Sequence, residues 1–205
     1  MRPVLTLAFV ALTALVALAG CPAKVPFYDY KQLEQDPYSK ELVLGVGDSI
    51  AINVWENKEF NTEATIRSDG KITMPLIGDL QAAGETPSAL KAQIKARLAD
   101  YVKSAPGTEL VTIAVKAWKS YKFTIQGEVQ RQGVFTSESF VRFAEAIAMA
   151  GGLTRFAKES QIKIFRLDPK TKKTKEIPLD YGQITSGKRL DMNVWILPGD
   201  VISVP

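Results

Sequence analysis

Histidine is absent from the 205-residue chain, and Cys21 is its single cysteine. Without histidine, the chain cannot form a Ser-His-Asp triad, a Cys-His dyad or a histidine-ligated metal site. One cysteine excludes an internal disulfide, an iron–sulfur cage and a Cys-x-x-Cys redox pair. The net charge of +4 is too small for a nucleic-acid-binding surface, which needs clustered Lys and Arg. Many common enzyme classes and nucleic-acid partners are therefore excluded at the outset.

The remaining composition is that of a globular protein, with 46% apolar and 23% charged residues. The length predicts one or two domains. The first residues differ from the rest, because residues 4–19 are nearly all Leu, Val, Ala and Phe behind Arg2. This run is closer to a signal-peptide core of about 7–15 residues than to the about 20 residues of a membrane-spanning helix. We therefore expect a signal peptide at residues 1–20.

Small residues precede the cysteine in Leu18-Ala19-Gly20-Cys21, and this sequence resembles the lipobox of bacterial lipoproteins. The resemblance implies cleavage between Gly20 and Cys21, a diacylglyceryl group on the thiol and an acyl chain on the new amino group. No other cofactor is expected. Pro22 follows where an Asp would favour the inner membrane, so we expect anchoring in the outer membrane with the body in the periplasm. A plain transmembrane anchor is the alternative.

Residues 21–41 are expected to be a lipidated N-terminus and an extended tether, because prolines and charges are scattered there without a sustained period. Four aromatic residues of this stretch could instead dock on a neighbour: Phe27, Tyr28, Tyr30 and Tyr38.

The first module is predicted at residues 42–118 as strands covered by one helix. Apolar residues alternate with others over residues 50–55, as in a strand. The pair Asp69-Gly70 separates residues 65–67 from residues 72–74, and it predicts a hairpin between them because Gly supplies a positive φ. Further strands are predicted at residues 77–82 and 111–116.

A helix is predicted from Thr86-Pro87, because Thr is a good N-cap and Pro at the first helical position loses no hydrogen bond. It should end before Pro106-Gly107. Its predicted inner face consists of Leu90, Ile94, Leu98 and Tyr101.

The second module is predicted at residues 119–205. Tyr121, Phe123 and Ile125 should share the inner face of a strand. A helix over residues 141–150, with Phe143, Ile147 and Ala150 inside, should end at Gly151-Gly152. The strands at residues 161–167 and 175–179 are joined by a lysine-rich segment. We interpret this segment as a solvated hairpin tip, and contact with an acidic polymer or lipid headgroups is the alternative.

The pairs Gly47-Asp48 and Gly199-Asp200 each precede a predicted strand. We expect the glycine to form a turn and the Asp side chain to accept a backbone N–H two residues further on. A paired-carboxylate site is the alternative, but turn formation explains both pairs.

Several short motifs occur in the order and spacing of a known family. In the first module they are Leu44-Gly45-Val46-Gly47-Asp48, Val54-Trp55, Arg67-Ser68-Asp69-Gly70-Lys71-Ile72, Pro75-Leu76-Ile77-Gly78 and Thr86-Pro87. In the second they are Gly127-Glu128-Val129, Gly133, Ala144-Glu145-Ala146-Ile147, Ala150-Gly151-Gly152 and residues 197–205. Together they resemble the polysaccharide export domain followed by one SLBB module, as in the Wza-like outer-membrane polysaccharide exporters.

The resemblance implies an α+β fold of two small β-rich modules, each with a covering helix; the second is a β-grasp domain. Its family motif turns fall at Gly45, Gly47, Asp48, Asp69, Gly70, Gly151, Gly152, Gly199 and Asp200. It also implies a transport function without catalytic residues. Members are lipoproteins that assemble as periplasmic rings around a channel for capsular polysaccharide or exopolysaccharide, and an inner-membrane polysaccharide co-polymerase docks beneath the ring.

Two departures from the larger members alter this expectation. The chain has one SLBB module where they have two or more, and it stops at Pro205 where they continue into an amphipathic pore-lining helix. Open sheet edges cannot cross hydrocarbon, because their backbone polar groups would be unpaired. We therefore expect a short periplasmic ring or adaptor on the inner leaflet of the outer membrane, with a separate outer-membrane β-barrel porin supplying the pore.

Two other functions stay open. The chain could be a periplasmic lipoprotein that binds glycan or a partner without forming a conduit. A glycan hydrolase would need two carboxyl groups about 5–10 Å apart, but the available glutamates are better explained as solvated surface: Glu56, Glu59, Glu85, Glu128 and Glu145. Three tryptophans are expected in the core or at interfaces rather than on a sugar-binding platform: Trp55, Trp118 and Trp195.

Overall fold

The computed structural model describes residues 28–33, 36–102, 109–168 and 171–205. The predicted signal peptide, Gly20 and Cys21 lie outside the described residues, as does Phe27. The described part contains three sheets and three α-helices, which confirms the predicted α+β class. Single 3-10 turns occur at Tyr30–Leu33, Pro37–Ser39, Lys58–Phe60, Glu159–Gln161 and Leu190–Met192. No helix in these ranges is long and apolar enough to cross a membrane.

The first module is built around strand β1 (Ser49–Val54). It pairs antiparallel with β2 (Thr62–Thr65) on one side and with β5 (Val111–Ala117) on the other. A separate two-stranded sheet is formed by β3 (Lys71–Met74) and β4 (Gly78–Gln81). Alternation along β1 places its apolar side chains in one core with those of both sheets.

Helix α1 (Pro87–Leu98) covers this core as predicted, and the Thr86 hydroxyl accepts the Ala89 N–H at 3.2 Å to cap it. The prediction was wrong for Tyr101, which lies beyond the end of the helix and is 57% exposed. The buried residues of the helix are Leu90, Ile94 and Leu98.

The turn at Asp69-Gly70 exists, but the predicted hairpin across it was wrong. The Gly70 N–H donates to the Arg67 carbonyl at 2.9 Å, and the Arg67 N–H donates to the Lys71 carbonyl at 3.0 Å. Beyond these two hydrogen bonds, β2 and β3 do not pair with each other. The pairing of β2 with β1 continues to Ile66, and β3 turns away to pair with β4. The turn therefore joins two sheets rather than two strands of one sheet.

The second module is a five-stranded sheet in the order β7-β6-β10-β8-β9. Its strands are β6 (Lys122–Gly127), β7 (Gly133–Thr136), β8 (Ile162–Leu167), β9 (Thr174–Leu179) and β10 (Val201–Val204). The last strand of the chain, β10, lies in the middle, parallel to β6 and antiparallel to β8. The end of the sequence thus completes the core of this module.

Helix α2 (Phe143–Met149) covers the sheet, and the short helix α3 (Tyr181–Thr185) follows β9. The predicted inner positions of β6 and α2 are confirmed, since all are 1% exposed or less: Tyr121, Phe123, Ile125, Phe143, Ile147 and Ala150. Gly151 and Gly152 end α2 with φ values of 84° and 89°, and the Gly152 N–H donates to the Ile147 carbonyl at 2.9 Å.

Candidate functional site: the junction between the two modules

The turn that leads into β1 carries a fully buried carboxylate. Gly47 has a φ of 92°, and the Asp48 N–H donates to the Gly45 carbonyl at 3.2 Å. The Asp48 side chain accepts the Gly45 N–H at 2.8 Å, three residues back, whereas we had predicted a donor two residues further on. The side chain therefore closes its own turn from inside and does not extend toward the strand.

The same carboxylate holds the segment that joins the two modules. The Ser120 N–H donates to Asp48 Oδ1 at 2.7 Å, and the Ser120 hydroxyl donates to Oδ2 at 2.8 Å. Gly45 is required here because a Cβ on it would lie 2.3 Å from the Ser120 Cβ. Asp48 and Gly45 thus fix the first module to the start of the second.

The turn before β10 repeats this geometry in the second module. Gly199 has a φ of 86°, and the buried Asp200 accepts the Leu197 N–H at 2.7 Å, again three residues back. Here the second contact is Arg166, whose Nε and second guanidinium nitrogen donate to the carboxylate at 2.9 and 2.6 Å. Burial raises the pKa of Asp200, while the Arg166 hydrogen bonds act in the opposite direction. Each aspartate is engaged within its own turn, so the paired-carboxylate alternative has no support.

The family motif at residues 67–72 forms a polar hydrogen-bond network on the surface of the first module. Arg67 donates from Nε and from one terminal nitrogen to the two oxygens of the Asp69 carboxylate, and its other terminal nitrogen donates to Thr73 at 2.9 Å and to Asp79 at 3.2 Å. The hydrogen bonds from Arg67 lower the pKa of Asp69, and those from the Thr73 hydroxyl and Arg67 lower the pKa of Asp79. Gly70 leaves room for Gln81, whose Nε2 would lie 2.7 Å from an added Cβ. The motif ties the inter-sheet turn to the β3–β4 hairpin.

The segment expected to be an extended tether packs instead on the second module. We call its described residues, 28–33 and 36–40, the strap. Tyr30 is 2% exposed within the second module's core, and its hydroxyl donates to the Pro178 carbonyl of β9. The Tyr28 ring lies 5.0 Å from the Tyr30 ring. Tyr28 and Tyr30 therefore dock on the second module of their own chain. Docking of this stretch on a neighbouring molecule stays a prediction.

The strap makes one more contact with the second module, and the chain then reaches the first module. Tyr38 packs edge-on against Phe140 and Trp195, with ring centroids 5.3 and 5.9 Å away. Only three residues later, Glu41 accepts the Ser88 N–H at the start of α1 at 2.8 Å. Hydrogen bonds from the side chain and the backbone of Ser88 lower the pKa of Glu41. The strap is thus a second connection between the modules, separate from the Asp48–Ser120 contact.

Two of the three tryptophans pack against other side chains, and the third is exposed. Trp118 stacks on Tyr121 at 4.8 Å, and the Arg142 guanidinium lies 4.2 Å from the centre of the Trp195 ring. Both are half-buried at the junction, as predicted. Trp55 is 63% exposed where the chain leaves β1, so a core position is wrong for it, and a position at an interface stays a prediction.

The candidate carboxylates have different surroundings. Glu128 accepts a hydrogen bond from the Thr154 hydroxyl, and Glu145 accepts the Arg142 N–H at 2.7 Å at the start of α2. Glu56 and Glu59 are exposed beyond β1, and Glu85 lies at a backbone turn. Within the described ranges, no cluster of three or more acidic or cysteine side chains is placed to hold a metal.

One groove lies between α1 and β5, with a volume of about 260 Å³. The charged side chains in its lining are already partnered, because Lys91 binds Glu109 at 3.2 Å and Glu41 caps α1. The arrangement as a whole can hold two modules in a fixed relation. Sequence reasoning identified the glycines and aspartates of the turns but missed Ser120, Arg166 and Pro178, which are distant in the sequence from their partners.

Comparison with known proteins agrees with this architecture. Residues 36–116 match the family described as polysaccharide biosynthesis/export protein, and residues 122–178 match the SLBB domain. The chain therefore carries a polysaccharide export domain followed by an SLBB domain, which confirms the resemblance identified from the sequence motifs. The two domains define an α+β protein of the polysaccharide export class.

A curated relative bears the same kind of description. The capsule polysaccharide export protein BexD of Haemophilus influenzae is 25% identical in an alignment of 142 residues that covers 60% of this chain and 35% of the relative. The chain thus spans little more than a third of the length of this relative.

Proposed function

We propose that the chain is a lipoprotein of polysaccharide export, anchored through acyl chains on Cys21, with its body in the periplasm at the outer membrane. The observation that carries the proposal is the presence of both matched domains, in this order, over most of residues 36–178. The relative named for capsule polysaccharide export supports the same role. Transport of this kind needs positioned surfaces and no reaction, and the matched families are described by export.

The proposed working form is a closed homo-oligomeric ring that encloses a conduit for capsular polysaccharide or exopolysaccharide. Ring closure needs a constant angle between successive copies, because errors in a head-to-tail contact add up around the ring. The double connection through Asp48–Ser120 and through the strap supports such a rigid subunit. The proposed partners are an inner-membrane polysaccharide co-polymerase, a separate outer-membrane β-barrel porin and the polymer itself.

A second function is a glycan-binding lipoprotein that forms no conduit. The observation in its favour is Trp55, a large ring that is 63% exposed and lies outside both cores. An exposed indole offers an apolar face with a polar edge, which suits contact with a sugar ring. This function needs no oligomer, so the two proposals predict different masses in solution.

Light scattering on the full chain, purified with its lipid in mild detergent, distinguishes them. The export proposal predicts one discrete oligomer whose particles show cyclic symmetry in electron micrographs. A monomer whose tryptophan fluorescence changes on addition of the native polymer, and no longer changes in Trp55→Ala, would contradict the ring and support the binding function. Trp118→Phe is the matched control, because that ring is stacked at the junction.

A further inference from the structure

The turn between β8 and β9 holds lysines in a defined geometry. The Asp168 N–H donates to the Lys173 carbonyl, and the Lys172 N–H donates to the Asp168 carbonyl, each at 2.9 Å. The Thr171 N–H also donates to the Asp168 carboxylate at 3.1 Å. These bonds close the turn, so its lysines project from an ordered hairpin end. We call the described residues 167, 168 and 171–175 the β8–β9 tip.

The β8–β9 tip combines positive charge with an exposed apolar side chain. Lys172 and Lys173 are exposed, and among the described residues no carboxylate lies within salt-bridge distance of either ammonium group. Further down the same hairpin, Lys163 is paired with Glu176 at 2.8 Å. Leu167, at the end of β8, is 56% exposed. The tip is therefore basic with an apolar side chain beside the charges.

The strap runs along β9 toward this tip. Tyr30 bonds to Pro178, and the Lys175 ammonium lies 5.3 Å from the centre of the Tyr28 ring. As the chain is followed back from Tyr30 to Tyr28, its partner on β9 moves three residues closer to the turn. Tyr28, the first described residue of the strap, therefore lies beside Lys175 of the β8–β9 tip.

The covalent distance from there to the proposed anchor is short. Cys21 precedes Tyr28 by seven residues, and seven residues span at most about 25 Å when fully extended. If Cys21 carries lipid, Tyr28 is held within about this distance of the membrane surface, and Lys175 of the tip lies beside Tyr28. Positively charged groups are attracted to an anionic surface within about a Debye length, which is about 10 Å at 0.1 M salt.

We propose that the β8–β9 tip is a contact site for the anionic headgroups of the membrane in which the chain is anchored. This inference rests on the proposed lipid anchor at Cys21. Lys172 and Lys173 bind headgroup phosphates, and Leu167 packs at the boundary between headgroups and acyl chains. This contact orients the second module with its β8–β9 tip toward the membrane. A lipid surface fits better than an acidic polysaccharide, because Tyr28, seven residues after the proposed anchor, lies beside this tip.

The test uses the full chain carrying Thr174→Cys, in nanodiscs of phosphatidylcholine with or without phosphatidylglycerol. A polarity-sensitive dye on the introduced thiol at position 174 reports the environment of the tip, and Val43→Cys reports the first module as a matched position. Intact mass establishes first whether Cys21 is acylated; acylation also blocks its sulfur from the dye. An unacylated Cys21 would overturn the anchor in the proposed function and this inference with it. Acylation without a dye response would overturn the inference alone.

The inference predicts a blue shift of the dye at position 174 only with phosphatidylglycerol, reversed by high salt. Each lysine near an anionic surface changes the ratio of docked to undocked tips about fivefold, so Lys172→Gln with Lys173→Gln should lower it roughly 25-fold. Lys95→Gln with Lys116→Gln, which removes two exposed charges from the first module, should leave it unchanged.

Three results would overturn the assignment. The first is a shift of the dye at position 174 that is the same with and without phosphatidylglycerol. The second is a shift unaffected by the Lys172 and Lys173 substitutions. The third is an equal response to dissolved alginate in discs of phosphatidylcholine alone, which would assign the tip to an acidic polysaccharide instead.

Discussion

Asp48 is the residue on which the junction depends most, because one buried carboxylate serves donors from both modules. Replacing it with Ala leaves the Gly45 N–H and both Ser120 donors without their acceptor. A buried donor without a partner costs about 1–3 kcal/mol. We therefore predict that Asp48→Ala lowers the free energy of unfolding by about 2–4 kcal/mol, measured by urea denaturation.

Ser120→Ala is the matched control for this substitution. It removes the hydroxyl donor but keeps the Ser120 N–H bond to Asp48, so it should cost only about 1 kcal/mol. Asp48→Ala should also expose the linker to trypsin at Lys119, whereas Ser120→Ala should not. Equal losses of stability in the two variants would show that the carboxylate does not join the modules.

The buried phenols of Tyr30 and Tyr121 make the stability of the folded chain depend on pH in the alkaline range. Burial raises the pKa of each to about 12. The unfolded chain begins to lose these protons near pH 10, while the folded state keeps them, so we expect stability to fall as pH rises from about 10 to about 12. Tyr30→Phe should remove part of this fall and part of the phenolate absorbance that develops near pH 12. An unchanged titration in Tyr30→Phe would contradict the burial of Tyr30 in the core of the second module.

At the scale of elements, substitutions at two glycines distinguish the effect of a close contact on stability from the effect of backbone conformation. Gly127 lies where β6 meets β10, and a Cβ there would be 1.9 Å from the Val204 carbonyl oxygen. Gly152, at the end of α2, has a similar positive φ but open space around it. Gly152→Ala should cost about 1–2 kcal/mol for conformation alone, and Gly127→Ala about 2–5 kcal/mol because it also pushes the two strands apart. Thermal unfolding measures both, and equal effects would contradict the close β6–β10 approach.

Local patterns predicted the elements whose determinants lie within a few residues. The Thr86 cap and the spacing of apolar residues located α1, and alternation after Tyr121 located β6 with its inner face. The turns before β1 and β10 were also predicted from Gly-Asp pairs. These features could be predicted because capping, alternation and positive φ are properties of short stretches.

Features that depend on distant partners could not be predicted in this way. The Tyr30–Pro178 contact joins residues 148 positions apart, and nothing in the strap's sequence specifies β9. Strand β2 has β-prone neighbours on both sides, so the choice of β1 over β3 is made by the tertiary packing. The direction of the Asp48 and Asp200 hydrogen bonds likewise depends on the shape of each whole turn.

At the scale of the whole molecule, two modules are held together by two connections of different kinds. One is polar and local to the linker, through Asp48 and Ser120. The other is aromatic and passes from the second module's core through the strap to the cap of α1. A subunit connected in this way can transmit the position of one module to the other, as ring assembly and membrane docking both require.

The location of polysaccharide in cells that lack this chain tests the central claim most directly. The measurement compares cell-surface with periplasmic polymer in the deletion strain, in the same strain carrying the full chain, and in one carrying Cys21→Ser. The account predicts loss of polymer from the surface, with accumulation or arrested synthesis inside, and rescue by the full chain but not by Cys21→Ser. Unchanged surface polymer, in a strain without a second copy of such a gene, would contradict an export role.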